Sequence, residues 1–147
     1  MKKITIIDPG YSSYVYEQEL FARHDYELIV GKGKNERGPL PFELARDAHG
    51  ILVRDTPVGA AELDQMPHLK AIVRYGVGYD NIDLKEAKKR GIRIANVQGY
   101  ANHSVSDHAL ALMFACTRNL QADRAGSFGI PGREEVFELH DKILGII

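Results

Sequence analysis

The sequence lacks several features that mark particular classes of protein. It has 147 residues, one cysteine and no tryptophan, so an internal disulfide framework is excluded. Acidic and basic side chains nearly balance, with a formal net charge of −1, which gives no general attraction to nucleic acid or to an anionic membrane. We therefore expect neither of these as a partner.

Long hydrophobic runs are also missing. The first apolar run covers only residues 4–7, whereas a secretory signal needs roughly 7–15 apolar residues and a bilayer span about 20. We expect a cytoplasmic protein.

What the sequence does contain is an alternation of short β-branched runs with helical patterns. The predicted strands are 4–7, 26–30, 50–53, 69–73 and 92–95, and the predicted helices between them are 14–23, 42–48, 60–65 and 83–90. Alternation at this spacing predicts an α/β fold, a flavodoxin-like doubly wound parallel five-stranded sheet with strand order 2-1-3-4-5. In the first helix, Val15, Leu20 and Phe21 are the expected core contacts.

Two predicted helices have residues that are typical of helix ends. Asp83 and Glu86 have the spacing of a capping box, and Gly91 follows three basic residues as a stop. Ser104 and Asp107 form a second such pair, ahead of an apolar run at 108–116. That run is apolar on all sides, so we expect a second domain or subunit to cover it, with Cys116 as a small buried hydrophobe.

The end of the sequence has a different character. A polar, glycine-containing stretch at 121–135 precedes an apolar ending at 142–147, which predicts a new buried strand. We expect a sequence cut off inside a larger fold, with one domain at 1–102 and the start of another at 103–147.

Ligands of open α/β sheets bind beyond the carboxyl ends of the strands. At one such end, Gly76, Val77 and Gly78 can expose backbone N–H groups to an anion, and Arg54 at another end can pair with a carboxylate or phosphate. A plain tight turn beside a surface arginine is the alternative. The glycine pair is not a dinucleotide fingerprint, since the third glycine would fall at Asn81.

Other kinds of site find little support. None of the six histidines has metal-ligand spacing with a third partner, and no nucleophile-elbow motif supports a serine–histidine–acid site. We expect no bound metal.

Several segments together resemble the D-isomer-specific 2-hydroxyacid dehydrogenase family, of phosphoglycerate or glycerate dehydrogenase type. They read ILVR at 51–54, VRYGVGYDNID at 73–83, SVSDHALAL at 104–112 and ELHDKILGII at 138–147. The resemblance implies a substrate domain, a long interdomain helix at 103–120, and the first strand of a truncated Rossmann domain.

The resemblance also implies a function: NAD-dependent oxidation of a small 2-hydroxy acid or reduction of its 2-oxo acid. The substrate carboxylate is then held by Val77 and Gly78, with Gly76 and Tyr75 adjoining, while Arg54 reaches the far end of the substrate. The segment around Asn102, Ser104 and Val105 corresponds to the crossing beside the nicotinamide.

The family's glycine-rich cofactor loop and its catalytic arginine, glutamate and histidine match no residue of this sequence, which has no G-x-G-x-x-G pattern. No catalytic residue is therefore assigned. We expect the chain alone to transfer no hydride and to bind NAD or NADP weakly or not at all. We also expect a homodimer through the 103–120 helix.

Two alternatives remain. One is a standalone module that binds a ligand or partner, like the C-terminal-binding corepressors, which carry a similar segment at 73–78. The other is a phosphoreceiver domain using Asp8 and Asp55, although Pro9 follows Asp8 and Asn96, rather than a lysine, ends the fifth predicted strand.

Overall fold

The computed structural model describes residues 1–32, 41–118, 120 and 138–146. The chain divides into two compact units, Met1–Gly99 and Tyr100–Ile147, and each is described by itself.

The first unit alternates strands and helices. Its elements are β1 (Lys2–Ile6), α1 (Val15–Ala22), β2 (Tyr26–Val30), α2 (Pro41–Leu44), β3 (Gly50–Val53), α3 (Ala60–Asp64), β4 (Ala71–Arg74), α4 (Leu84–Lys89) and β5 (Arg93–Asn96). All strand pairs are parallel and the order is β2-β1-β3-β4-β5. The predicted fold class and strand order are confirmed.

The two faces of the sheet are covered differently. Because successive strand residues point to opposite faces, Ile51 and Val53 of β3 join one buried cluster while Leu52 joins another. The larger cluster packs the sheet against α2, α3 and α4, with Ile72 of β4 fully buried in it. The smaller cluster includes Phe21 of α1.

Part of the sequence prediction for the core contacts of helix α1 is wrong. Phe21 packs against the sheet as expected, but Val15 is 56% and Leu20 38% exposed. At eight residues α1 is short, and the aromatic side chains of Tyr14 and Phe21 fill the space against the sheet that Val15 and Leu20 were expected to fill.

Helix α4 has half of the predicted capping box. The carboxylate of Asp83 accepts the Glu86 N–H at 2.9 Å. The Glu86 carboxylate turns instead to Lys89 and Arg90, because two cations lie within its reach. Gly91 has the expected left-handed conformation, with φ of +67°, which a residue without Cβ adopts at no steric cost.

The second unit contains α5 (Asn102–Thr117). The predicted cap at Ser104 is wrong: the N-cap residue is Ala101, three positions earlier, and no side chain caps the helix. Cys116 is exposed rather than buried, as are Val105, Leu112 and Phe114. An apolar helix has buried side chains only where something covers it, and most of α5 lacks such cover within the described residues.

The strand predicted at 142–147 is also absent from residues 142–146, where Ile143 is 98% and Ile146 91% exposed. A strand needs a neighbour for its N–H and C=O groups, and the described residues provide none there. Ile147, residues 33–40 and the stretch 121–135 lie outside the described residues. In the described part of the chain, no helix is long and apolar enough to cross a membrane.

Burial identifies the residues on which stability depends. Replacing fully buried Ile72 by Ala should lower the free energy of unfolding by about 2–5 kcal/mol, because it removes packed methyl groups and leaves a cavity. The same change at exposed Ile143 should alter it by less than ~0.5 kcal/mol. Urea denaturation followed by circular dichroism measures both, and equal effects would contradict the assigned core.

Candidate functional site

Loops after three neighbouring strands meet at one edge of the sheet. In a parallel sheet all carboxyl ends lie at the same edge, so the segments after β1, β3 and β4 are brought together, beside the end of β5. Arg54, Tyr75, Gly76, Val77 and Gly78, predicted from separate segments, all lie at this edge.

Asp8, directly after β1, fixes the loop after β3. Its carboxylate accepts the backbone N–H groups of Arg54, Asp55 and Thr56 at 2.7, 2.7 and 2.8 Å. Three consecutive donors on one carboxylate leave this loop little freedom. This role was not predicted, because its one sign in the sequence is an aspartate at the end of a strand.

Two arginines converge on Asp55. The Nε of Arg54 donates to the Asp55 carboxylate at 2.8 Å, and Nη2 of Arg74 lies 3.8 Å from the other oxygen. The Nε of Arg74 also donates to the Arg54 carbonyl at 3.0 Å. The side-chain hydrogen bond from Arg54 to Asp55, together with the charge of Asp55, raises the pKa of Arg54 above its ordinary value. Arg74 was not among the predicted site residues.

The glycine loop after β4 is held by its carbonyl groups. The side-chain amide of Asn96 donates to the Val77 carbonyl at 2.6 Å, and the Val97 N–H donates to the Gly76 carbonyl at 3.0 Å. Among the described residues, the N–H groups of Val77 and Gly78 have no hydrogen-bond partner. Adjacent unpaired N–H groups can bind an anion.

Gly76 is required at its position for a steric reason. Its φ is +156°, and a Cβ there would collide with Nη1 of Arg74. Any larger residue would displace the guanidinium that borders the loop.

The glycine loop is also tied to the loop after β3. A bridge pairs Val58 with Ile82, and the side chain of Asn81 donates to the Thr56 carbonyl at 2.9 Å. These two contacts fix the glycine loop and the loop after β3 relative to each other.

Tyr75 connects the glycine loop to α1. Its hydroxyl donates to the Glu17 carboxylate at 3.0 Å, and its ring makes an edge contact with Tyr11. Burial raises the pKa of Tyr75, and the hydrogen bond to Glu17 raises it further. The Tyr14 hydroxyl accepts the Gly10 N–H at 2.7 Å and so fixes the loop after β1.

The predicted cofactor residues belong to the second unit. Asn102, Ser104 and Val105 lie in the first turn of α5 and are exposed. The predicted substrate residues lie together at the sheet edge of the first unit, and the predicted cofactor residues lie together in the second unit.

The structure offers no receiver-type or metal site in its described parts. Asp8 is engaged by backbone N–H groups and Asp55 by arginines, and β5 ends in Asn96. In the same residues, no three His, Cys, Asp or Glu side chains form a group that could hold a metal ion.

Comparison with known proteins assigns the family of the chain. Residues 12–129 match the model of the D-isomer specific 2-hydroxyacid dehydrogenase catalytic domain. The chain belongs to this family. The resemblance found in its sequence motifs is thereby confirmed.

Individual relatives agree with this membership. The chain is 39% identical over 135 residues to a glyoxylate reductase of Thermococcus litoralis, covering 83% of this chain and 40% of that protein. It is 40% identical over 112 residues to a D-3-phosphoglycerate dehydrogenase of Archaeoglobus fulgidus, covering 71% and 21%. The structure of an Aquifex aeolicus D-lactate dehydrogenase with NAD and lactic acid matches with a TM-score of 0.73 at 25% identity, covering 92% and 40%. The chain thus spans less than half the length of these relatives.

The pKa of Tyr75 leads to a pH-dependent prediction. Because it is raised above the ordinary value near 10, the unfolded chain loses this proton first, so the stabilisation is present below about pH 10 and lost above it. The free energy of unfolding should fall more steeply above that pH in the unsubstituted chain than in Tyr75→Phe, as urea titrations would measure. Tyr16→Phe, at an exposed position, is the control and should keep the steep fall. Parallel curves for Tyr75→Phe and the unsubstituted chain would contradict the interpretation.

Proposed function

We propose that this chain is the substrate-binding part of an NAD- or NADP-dependent oxidoreductase that interconverts a small D-2-hydroxy acid and its 2-oxo acid. The observation that carries the proposal is that, among the described residues, the N–H groups of Val77 and Gly78 have no partner, in a loop whose carbonyl groups accept hydrogen bonds from Asn96 and Val97. The family membership supports it, as do the relatives named for glyoxylate, lactate and phosphoglycerate.

In this proposal the substrate carboxylate accepts hydrogen bonds from the N–H groups of Val77 and Gly78. Backbone donors in a fixed loop need little reorganisation when an anion binds. Gly76 allows close approach, and the ring of Tyr75 is held beside the loop by Glu17. Arg54, fixed through Asp8, lies toward the far end of the substrate.

The cofactor is assigned to the second unit. We assign Asn102, Ser104 and Val105 to contacts near the nicotinamide, which in such enzymes supplies or accepts the hydride. No residue of this chain is assigned to proton transfer from the substrate hydroxyl, and no G-x-G-x-x-G loop is present to hold a dinucleotide. We accordingly propose that the chain by itself binds substrate without turning it over.

Carboxylate binding at the loop can be tested directly. Titrating the isotopically labelled chain with glycolate should shift the amide signals of Val77 and Gly78 saturably, because these N–H groups would donate to the carboxylate. Ethylene glycol, which lacks the carboxylate, should leave them unchanged.

Variants sharpen this test. Asn96→Ala frees the Val77 carbonyl and should weaken glycolate binding roughly 3–10-fold, the worth of about one hydrogen bond. Gln98→Ala removes a nearby exposed side-chain amide and should leave binding unchanged. Shifts confined to residues away from the loop would rule out the proposed site.

We further propose that α5 forms a homodimer. Its exposed apolar side chains include Leu110, Leu112 and Phe114, each about half exposed, and burying a large apolar side chain contributes about 1.5–3 kcal/mol. A second copy presents the same surface, so a two-fold contact can cover both.

A single substitution that places a charge on α5 tests the dimer. Leu112→Glu should convert the chain to a monomer in sedimentation equilibrium, because a carboxylate would be buried in the interface. Leu84→Glu places the same charge at an exposed position of α4 and should leave the dimer intact. A monomeric unsubstituted chain at micromolar concentration would refute the assembly.

A further inference from the structure

The arginine pair beside the glycine loop is already neutralised by the chain itself. Arg54 and Arg74 both contact the Asp55 carboxylate, at 2.8 and 3.8 Å. Family membership does not say what these arginines are for, since the relatives include both glyoxylate reductases and D-3-phosphoglycerate dehydrogenases.

The charges of this cluster balance. It holds two guanidinium groups, of Arg54 and Arg74, and two carboxylates, of Asp8 and Asp55. A phosphate group placed here would therefore meet no net positive charge, although it carries a charge between −1.5 and −2 at neutral pH.

Some N–H groups of the two arginines already donate hydrogen bonds to acceptors of the chain itself. The Nε of Arg54 donates to Asp55, and the Nε of Arg74 donates to the Arg54 carbonyl. A second anionic group would have to displace Asp55 or lie close to it. The backbone of Asp55 is fixed, because its N–H donates to Asp8 at 2.7 Å, so its carboxylate could leave the arginines only by rotation of the side chain.

A single carboxylate on the glycine loop meets a different environment. It would be bound by the N–H groups of Val77 and Gly78, which donate to no carboxylate in the described structure; the Asp80 carboxylate lies beside Gly78 but is not hydrogen-bonded to them. The far end of such a substrate can be neutral and still accept a hydrogen bond from an arginine.

From this geometry we propose that Asp55 is a specificity-determining residue that disfavours substrates with a second anionic group. The substrate class is then small 2-hydroxy or 2-oxo acids with one carboxylate and an uncharged far end. This inference rests on the proposed function, because it assumes that the glycine loop binds the substrate carboxylate.

Two ligands that differ only in phosphate test this. D-glycerate and D-3-phosphoglycerate share the 2-hydroxy acid end, and each is titrated against the 147-residue chain while the amide signals of Val77 and Gly78 are followed. The unsubstituted chain should bind D-glycerate at least as tightly as D-3-phosphoglycerate.

Removing the Asp55 charge should reverse the order. Asp55→Asn should bind D-3-phosphoglycerate at least ~10-fold more tightly than the unsubstituted chain, a factor expected when an adjacent unit charge is removed in a partly exposed site. Its affinity for D-glycerate should change less than about 3-fold, within the effect of a neutral surface contact.

Controls separate this effect from charge in general and from folding. Asp47→Asn removes the same charge at the opposite end of β3, where Asp47 pairs with Lys3, and should change neither affinity. Asp55→Ser serves as a second variant with the same expected gain, and circular dichroism confirms the fold of each.

The possible failures are distinguishable. If the unsubstituted chain prefers D-3-phosphoglycerate and Asp55→Asn does not strengthen its binding, the role of Asp55 is overturned while the substrate loop stands. If neither ligand shifts the Val77 and Gly78 signals in any variant, the proposed function fails and this inference fails with it.

Discussion

Parallel pairing of neighbouring strands is the constraint on which the candidate site depends. Each strand of the first unit is joined to the next by a helix, so every carboxyl end reaches the same edge of the sheet. Residues that are more than forty positions apart in sequence, such as Asp8 and Arg54, thereby come within hydrogen-bond distance. No local preference of either segment could bring this about.

The site is built from backbone groups fixed by side chains. Asp8 holds three N–H groups of the loop after β3, and Asn96 holds the carbonyl of Val77 in the loop after β4. The effect is that one loop has its N–H groups satisfied internally while the other leaves two of them free for a ligand. The side chains that produce this difference, Asp8 and Asn96, lie outside the glycine motif.

Two parts of the same sheet edge, the arginine pair and the glycine loop, differ in whether their charges or dipoles are already paired. The arginine pair is compensated by Asp55, whereas the N–H groups of Val77 and Gly78 have no hydrogen-bond partner in the described structure. An arginine in a sequence suggests an anion site, but its neighbours decide whether its charge is available. Here the adjacent residue in the chain is the neighbour that matters.

Much of the fold could be predicted from the sequence, because strands and helices leave periodic patterns. The five strands, the cap at Asp83 and the turn at Gly91 depend on residues close together in the chain. The glycine loop was identifiable for the same reason. Apart from the helix cap at Ser104, the predictions that were wrong concern burial: Val15, Leu20, Cys116 and most of the ending at 142–146 are apolar but exposed.

The sequence by itself thus determined the order of the elements, the family and the position of the glycine loop, since each is written in local patterns and motifs. The tertiary structure alone decided which apolar residues are covered and which polar groups meet. It showed Asp8 bound to the loop after β3, Asn96 bound to Val77, and Arg54 and Arg74 sharing Asp55. These contacts join separate strand ends, and only the parallel register of the folded sheet brings those ends together.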